Sequence, residues 1–113
     1  MSGVPRIAVI GAGNWGKNHL RVFHRLGALF AVADTDEALR SKVKEEYPSI
    51  KVYSAYEALL EDPEIDGVVV ATPALTHCAV TEACLEAGKD VLVEKPMALS
   101  VEEADRMLKA ARK

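Results

Sequence analysis

Three glycines, one aspartate and one strand-end lysine are the residues of this sequence best placed to do chemistry. Gly11, Gly13 and Gly16 stand in "VIGAGNWG" as Gly-x-Gly-x-x-Gly. When such a run follows a strand and opens a helix, the first glycine makes a tight turn. The second lets the backbone approach a pyrophosphate, and the third lets the helix pack close to the sheet. Amide groups at the helix start then face the anion. Taken alone, the motif also describes a plain strand-to-helix turn. Asp34 is the second requirement, because it follows "LFAVA" and lies 18 residues beyond Gly16. A carboxylate there accepts hydrogen bonds from an adenosine ribose and repels a 2′-phosphate, which favours NAD over NADP. Asp36 adds to that repulsion, whereas Arg40 and Lys42 soften it. Asp34 also suits a helix cap, but Thr35 and Asp36 serve that purpose equally well.

Two further strand ends carry polar groups. In "VVVATPALTH", Pro73 cannot extend a strand, so the chain must turn beside Thr72. Thr72 offers a hydroxyl to a ligand lying there. His77 either faces that ligand or simply sits near a helix start. "VLVEKPMALS" runs three apolar residues into Glu94, Lys95 and Pro96. A lysine at that end can hydrogen-bond a substrate hydroxyl and stabilise charge as it becomes a carbonyl. Desolvated, it can also move a proton. Spacing alone leaves a solvated charge pair as an equal alternative.

These residues need elements to hold them. Short apolar runs alternate with helical periodicity. Strands are predicted at 6–10, 28–33, 50–53, 66–71 and 90–93, and helices at 14–26, 37–47, 76–87 and from 101 onward. Leu20, Phe23 and Leu26 form one stripe, and Leu39, Val43 and Tyr47 another. Val101, Ala104, Leu108 and Ala111 form the stripe of the last helix. Ser54 with Glu57, and Ser100 with Glu103, read as capping boxes. Pro48 and Gly88 are stops. Five alternations with short connections imply an α/β fold. It is a Rossmann-type doubly wound parallel sheet of about five strands with helices on both faces.

The chain has 113 residues, which fits one domain. Its formal net charge is -3, which gives no basic field for nucleic acid or an anionic membrane. No apolar run approaches a membrane span, and a cytoplasmic protein is expected. Cys78 and Cys84, six residues apart on a helix, would lie roughly 9 Å apart along the axis and cannot form a disulfide. Both are expected as reduced thiols, with Cys84 in the core.

"GAGNWGKNH" at 11–19, Asp34, "ATPALTH" at 71–77 and "AGKDVLVEKPMALS" at 87–100 occur in an order that resembles the glucose–fructose oxidoreductase / inositol dehydrogenase (Gfo/Idh/MocA) family. The resemblance implies a two-domain NAD(P)-dependent oxidoreductase acting on a hydroxyl of a sugar, cyclitol or sugar nucleotide. It implies that Gly11, Gly13 and Gly16, with Asn14 and Trp15 between them, hold the pyrophosphate, and that Asp34 holds the adenosine ribose. Thr72, Pro73 and His77 would line the cofactor. Glu94 would bind the nicotinamide ribose region and Lys95 would contact the reacting hydroxyl. The Lys95–Pro96 bond would be cis. The start of the chain is most similar to members acting on UDP-N-acetylhexosamines at carbon 3.

Family enzymes are roughly three times longer and add a substrate domain. The expectation is therefore a nucleotide-binding domain over residues 1–113 that binds cofactor without turnover, and that forms a homo-oligomer or a domain-swapped dimer. Two alternatives are a non-catalytic NAD-binding sensor or partner-subunit module, and another Rossmann-type binder such as an S-adenosylmethionine methyltransferase. The third glycine and Glu94-Lys95-Pro96 speak against the last.

Overall fold

The structure is a computed structural model that describes residues 4–95 and 98–112, and within them all but the side chains of Asn14 and Trp15. Five strands form one parallel sheet: β1 (Ile7–Ile10), β2 (Leu29–Ala33), β3 (Lys51–Tyr53), β4 (Gly67–Val70) and β5 (Asp90–Val93). Their order in space is β3-β2-β1-β4-β5. The helices are α1 (Asn14–Arg25), α2 (Glu37–Glu46), α3 (Tyr56–Leu60), α4 (His77–Glu86) and α5 (Val101–Ala111). A short 3-10 turn, Ala74–Thr76, leads into α4.

β1 and β4 are apolar at every position because the sheet is covered on both faces. On one face Val9, Val32 and Val69 meet Leu20 of α1, Val43 of α2 and Ile50. On the other, Ala8, Ile10, Val68 and Val70 meet Leu59 of α3 and Val80 and Cys84 of α4. α5 lies along α4, and Arg106 pairs with Glu82 across that contact at 2.6 Å. Gly27 and Gly88, at φ 72° and 81°, end α1 and α4 in the left-handed conformation that glycine adopts without strain.

Three sequence expectations change. Ser54 does not cap α3, whose cap position is Ala55 with no side-chain hydrogen bond. The helix starts one residue late for the box, so Ser54 falls outside it. Ser100 does cap α5, accepting from the Glu103 amide at 3.1 Å, while Glu103 Oε1 accepts from the Leu99 amide at 3.0 Å. The stripe of α5 is rotated from the expected one. Met107 and Ala110 are buried, whereas Val101 is 86% exposed and Leu108 is 49% exposed. The Arg106–Glu82 pair, and the Cys78 thiol on the Glu103 carbonyl, fix this phase against α4. In α1, Leu20 and Phe23 pack on the core, but Leu26 caps the helix end and is mostly exposed.

Cys78 and Cys84 are free and buried. Burial pushes the Cys84 thiol up to about 12 and raises that of Cys78 as well. Lys89, in "AGKDVLVEKP", is a buried strut. Its Nζ donates to the carbonyls of Asp62 and Ile65, each at 2.8 Å, and so fixes the turn before β4. No helix among the described residues is long and apolar enough to cross a membrane.

Candidate dinucleotide site

In the order β3-β2-β1-β4-β5 the chain reverses its direction of travel between β1 and β4. Connections leave these two strands toward opposite faces, so a crevice opens beyond their carboxyl ends. A groove of about 550 Å³ occupies that position. Gly11, Gly13, Asp34, Thr72, Pro73, His77, Glu94 and Lys95 all line it. Gly16 stands behind the loop rather than on the groove. Pro96 and the side chains of Asn14 and Trp15, together with the expected cis bond, lie outside what the structure describes.

The three glycines have different reasons to be glycine. Gly11 sits at φ 100°, and a Cβ there would lie 2.7 Å from the Ala71 carbonyl oxygen of the neighbouring strand end. A Cβ on Gly16 would lie 1.9 Å from the Gly11 carbonyl oxygen. The fold itself forbids a side chain at both positions. Gly16 therefore lets the helix close on the glycine loop, a slightly different contact from the helix–sheet approach expected. A Cβ on Gly13 would meet nothing within 4 Å. Packing therefore does not require a glycine there, although glycine also caps a helix better than alanine does. Gly13 is also the cap residue of α1, no side chain caps that helix, and its first turn carries no acid. The first-turn amides therefore have no side-chain cap, the arrangement that suits an anion at a helix start.

Asp34 ties β2 to the glycine loop. Its Oδ2 accepts from the Ala12 amide and its Oδ1 from the Asp36 amide, both at 2.8 Å. Asp36, not Asp34, caps α2, accepting from Ala38 and Leu39. Each Asp34 oxygen keeps a further acceptor site for a hydroxyl. Arg40 lies close by, with Nη1 donating to the Asp34 carbonyl at 3.0 Å. An acid and a base thus stand together at this end of the groove.

The turn after β4 is held by its own polar groups. His77 is 1% exposed, and its Nε2 donates to the Thr72 carbonyl at 2.8 Å. Thr76 Oγ1 lies 2.7 Å from both the Thr72 hydroxyl and the Pro73 carbonyl. His77 therefore shapes the groove wall from within it.

At the far end, the Glu94 amide donates to the Val70 carbonyl at 3.0 Å, extending the β4–β5 ladder by one residue. Its side chain crosses to α1, where His19 Nε2 donates to Oε1. The His19 hydrogen bond holds the Glu94 carboxyl below the usual carboxylate range, and the Lys95 amide and ammonium add to this against a smaller effect of burial. Sequence reasoning missed His19, although it lies within "GAGNWGKNH". Its partner is 75 residues away, and no local pattern signals that pairing. Among the described residues, no cluster of His, Cys, Asp or Glu can hold a metal ion.

Comparison with known proteins agrees with this geometry. Residues 5–113 match the oxidoreductase family with an NAD-binding Rossmann fold. The chain is 34% identical over 110 residues to myo-inositol 2-dehydrogenase of Thermotoga maritima, a match covering 96% of this chain and 33% of that protein. It is 35% identical over 103 residues to UDP-N-acetylglucosamine 3-dehydrogenase of Acidithiobacillus ferrooxidans, covering 91% of this chain and 32% of that protein. A crystal structure of a point mutant of KijD10, a 3-ketoreductase from Actinomadura kijaniata, in complex with TDP-benzene and NADP, superposes with a TM-score of 0.89 at 28% identity. That match covers 97% of this chain and 34% of the other. The chain thus spans about a third of the length of these relatives. A bare Gly13 on an open groove, an acid at the end of β2 and a Glu-Lys pair at the end of β5 accompany a match over residues 5–113, and this chain belongs to the Gfo/Idh/MocA oxidoreductase family as its NAD-binding Rossmann domain.

Proposed function

We propose that this domain binds NAD in preference to NADP. In the whole protein it would serve hydride transfer between the nicotinamide and a hydroxyl of a sugar, cyclitol or sugar nucleotide. One observation carries the reading: Gly13 leaves open space where its neighbours Gly11 and Gly16 are forced by packing. The residues fit a dinucleotide along the groove. The α1 amides and Gly13 receive the pyrophosphate, with Asn14 and Trp15 beside them. Asp34 receives the adenosine ribose, Thr72 and Pro73 line the middle, and Glu94 receives the nicotinamide ribose. Bound nicotinamide supplies the hydride acceptor or donor. Lys95, with Pro96 after it, donates a hydrogen bond to the reacting hydroxyl and holds the oxygen's charge as it changes. The UDP-N-acetylglucosamine 3-dehydrogenase likeness supports a nucleotide-linked hexosamine as substrate. Leu92, 52% exposed on the edge strand β5, supports self-association through that edge.

Calorimetric titration tests the cofactor reading. The chain should bind NAD at least tenfold more tightly than NADP, on the reading that the Asp34 and Asp36 carboxylates repel a 2′-phosphate more than Arg40 and Lys42 attract it. Mixed with candidate sugars and NAD, it should form no NADH. Failure to bind either cofactor would end the proposal, and equal affinity for both would end the NAD preference.

A further inference from the structure

The contact between His19 and Glu94 is the longest-range side-chain pair at the groove, and neither a cap nor a core requires it. Glu94 is fixed through its backbone by the hydrogen bond to Val70. Its carboxylate stands next in sequence to the Lys95 ammonium, its nearest opposite charge along the chain. Its side-chain hydrogen bond, however, is with His19 of α1. His19 is itself held. It sits on α1, and its ring stacks on Phe23 at 6.5 Å between centroids, with Phe23 packed against the core. Both side chains are only about one-fifth exposed, 20% for His19 and 23% for Glu94. An ionised carboxylate only accepts, so Nε2 carries the proton of this bond.

We infer that His19 is a positioning residue: it holds the Glu94 carboxylate against α1, at the nicotinamide-ribose end of the groove. The inference rests on the cofactor reading above. The pair joins the helix whose start faces the pyrophosphate to the strand end that carries Lys95. One side-chain hydrogen bond thereby links both halves of a groove whose strands the β1–β4–β5 ladders already align. Without it, the Glu94 side chain loses the contact to α1 that fixes it, and the ribose acceptor is no longer held in place.

Binding of NAD and of ADP, which lacks the nicotinamide ribose, separates this role from a merely structural one. Both affinities are measured calorimetrically for the wild type, His19→Leu, His19→Gln and Glu94→Gln. His19→Leu should weaken NAD about tenfold, the loss of one charge-assisted hydrogen bond, and leave ADP within about twofold. His19→Gln, which keeps a donor, should restore most of the loss. Glu94→Gln should reproduce the His19→Leu pattern, and adding His19→Leu to it should cost nothing further. Equal losses for NAD and ADP, unchanged NAD affinity, or additive losses in the double variant would each overturn the inference. If His19→Leu does not fold, the Glu94→Gln and His19→Gln affinities decide alone. A wild type that binds neither ligand refutes the cofactor reading itself, whereas a wild type that binds both with no His19 effect refutes only this role.

Discussion

Replacing glycines of the loop one at a time should separate what the fold needs from what the ligand needs. In Gly16→Ala the new Cβ would lie 1.9 Å from the Gly11 carbonyl oxygen. Ordinary carbon–oxygen contacts are about 3.3 Å or longer, so the loop must withdraw by more than 1 Å. That loop is tied down by Gly11 N to Ala33 O and by Ala12 N to the Asp34 carboxylate, both at 2.8 Å. Straining two such bonds, at about 1 kcal/mol each, and overpacking by about 1–3 kcal/mol give a destabilisation of about 3–5 kcal/mol. At about 4 °C per kcal/mol, the melting temperature should fall by more than 10 °C. In Gly13→Ala the Cβ meets nothing within 4 Å, at φ -74° and ψ -155°, an extended conformation open to alanine. Reduced freedom of the unfolded chain stabilises by about 0.4–1 kcal/mol. Alanine is a poorer helix cap than glycine by a similar amount. The two cancel, and melting should stay within about 3 °C of the wild type. The methyl group nevertheless stands on the groove, where the proposed reading brings the pyrophosphate closest. NAD affinity should fall at least tenfold, or about 1.4 kcal/mol. Thermal melts followed by circular dichroism and calorimetric titration of the same samples read both quantities. A Gly13→Ala protein that melts normally and binds NAD as well as the wild type would refute the assignment of that glycine to the ligand.

Two further outcomes follow from local geometry. Ser100→Ala should destabilise by about 1 kcal/mol in urea unfolding, because Ser100 caps α5, whereas Ser54→Ala should change stability by less than about 0.5 kcal/mol, because it caps nothing; equal effects would contradict the placement of the α3 start. Cys78 and Cys84 should react with a thiol reagent only as fast as the protein unfolds, since both are buried and both thiols are raised, Cys84 to about 12; rapid labelling of the native protein would contradict their burial.

The fold was legible because its signals are local. An apolar run, a Gly-x-Gly-x-x-Gly turn and a helical period each fit within a dozen residues, and β1, α1 and β2 follow from them with ends shifted by a residue or so. Asp34 was legible for the same reason: its distance along the chain from the glycine loop is set by one helix and one strand. Local pattern failed where two answers satisfy the same period. Residues 101, 104, 108 and 111 make as good a stripe as the observed one, and the packing against α4, with Met107 and Ala110 buried and Arg106 paired with Glu82, selects the phase. The same limit explains His19. Its neighbours in sequence show a helix residue of no special kind, and Glu94 by itself shows a strand-end acid. Their meeting depends on β5 lying beside β4 and β4 beside β1, so that α1, which follows β1, reaches the end of β5. Strand order is not a property of any one segment. The contact that holds Glu94, the neighbour of Lys95 in sequence, is therefore made by the arrangement of the sheet, through a helix that begins 80 residues earlier, at Asn14.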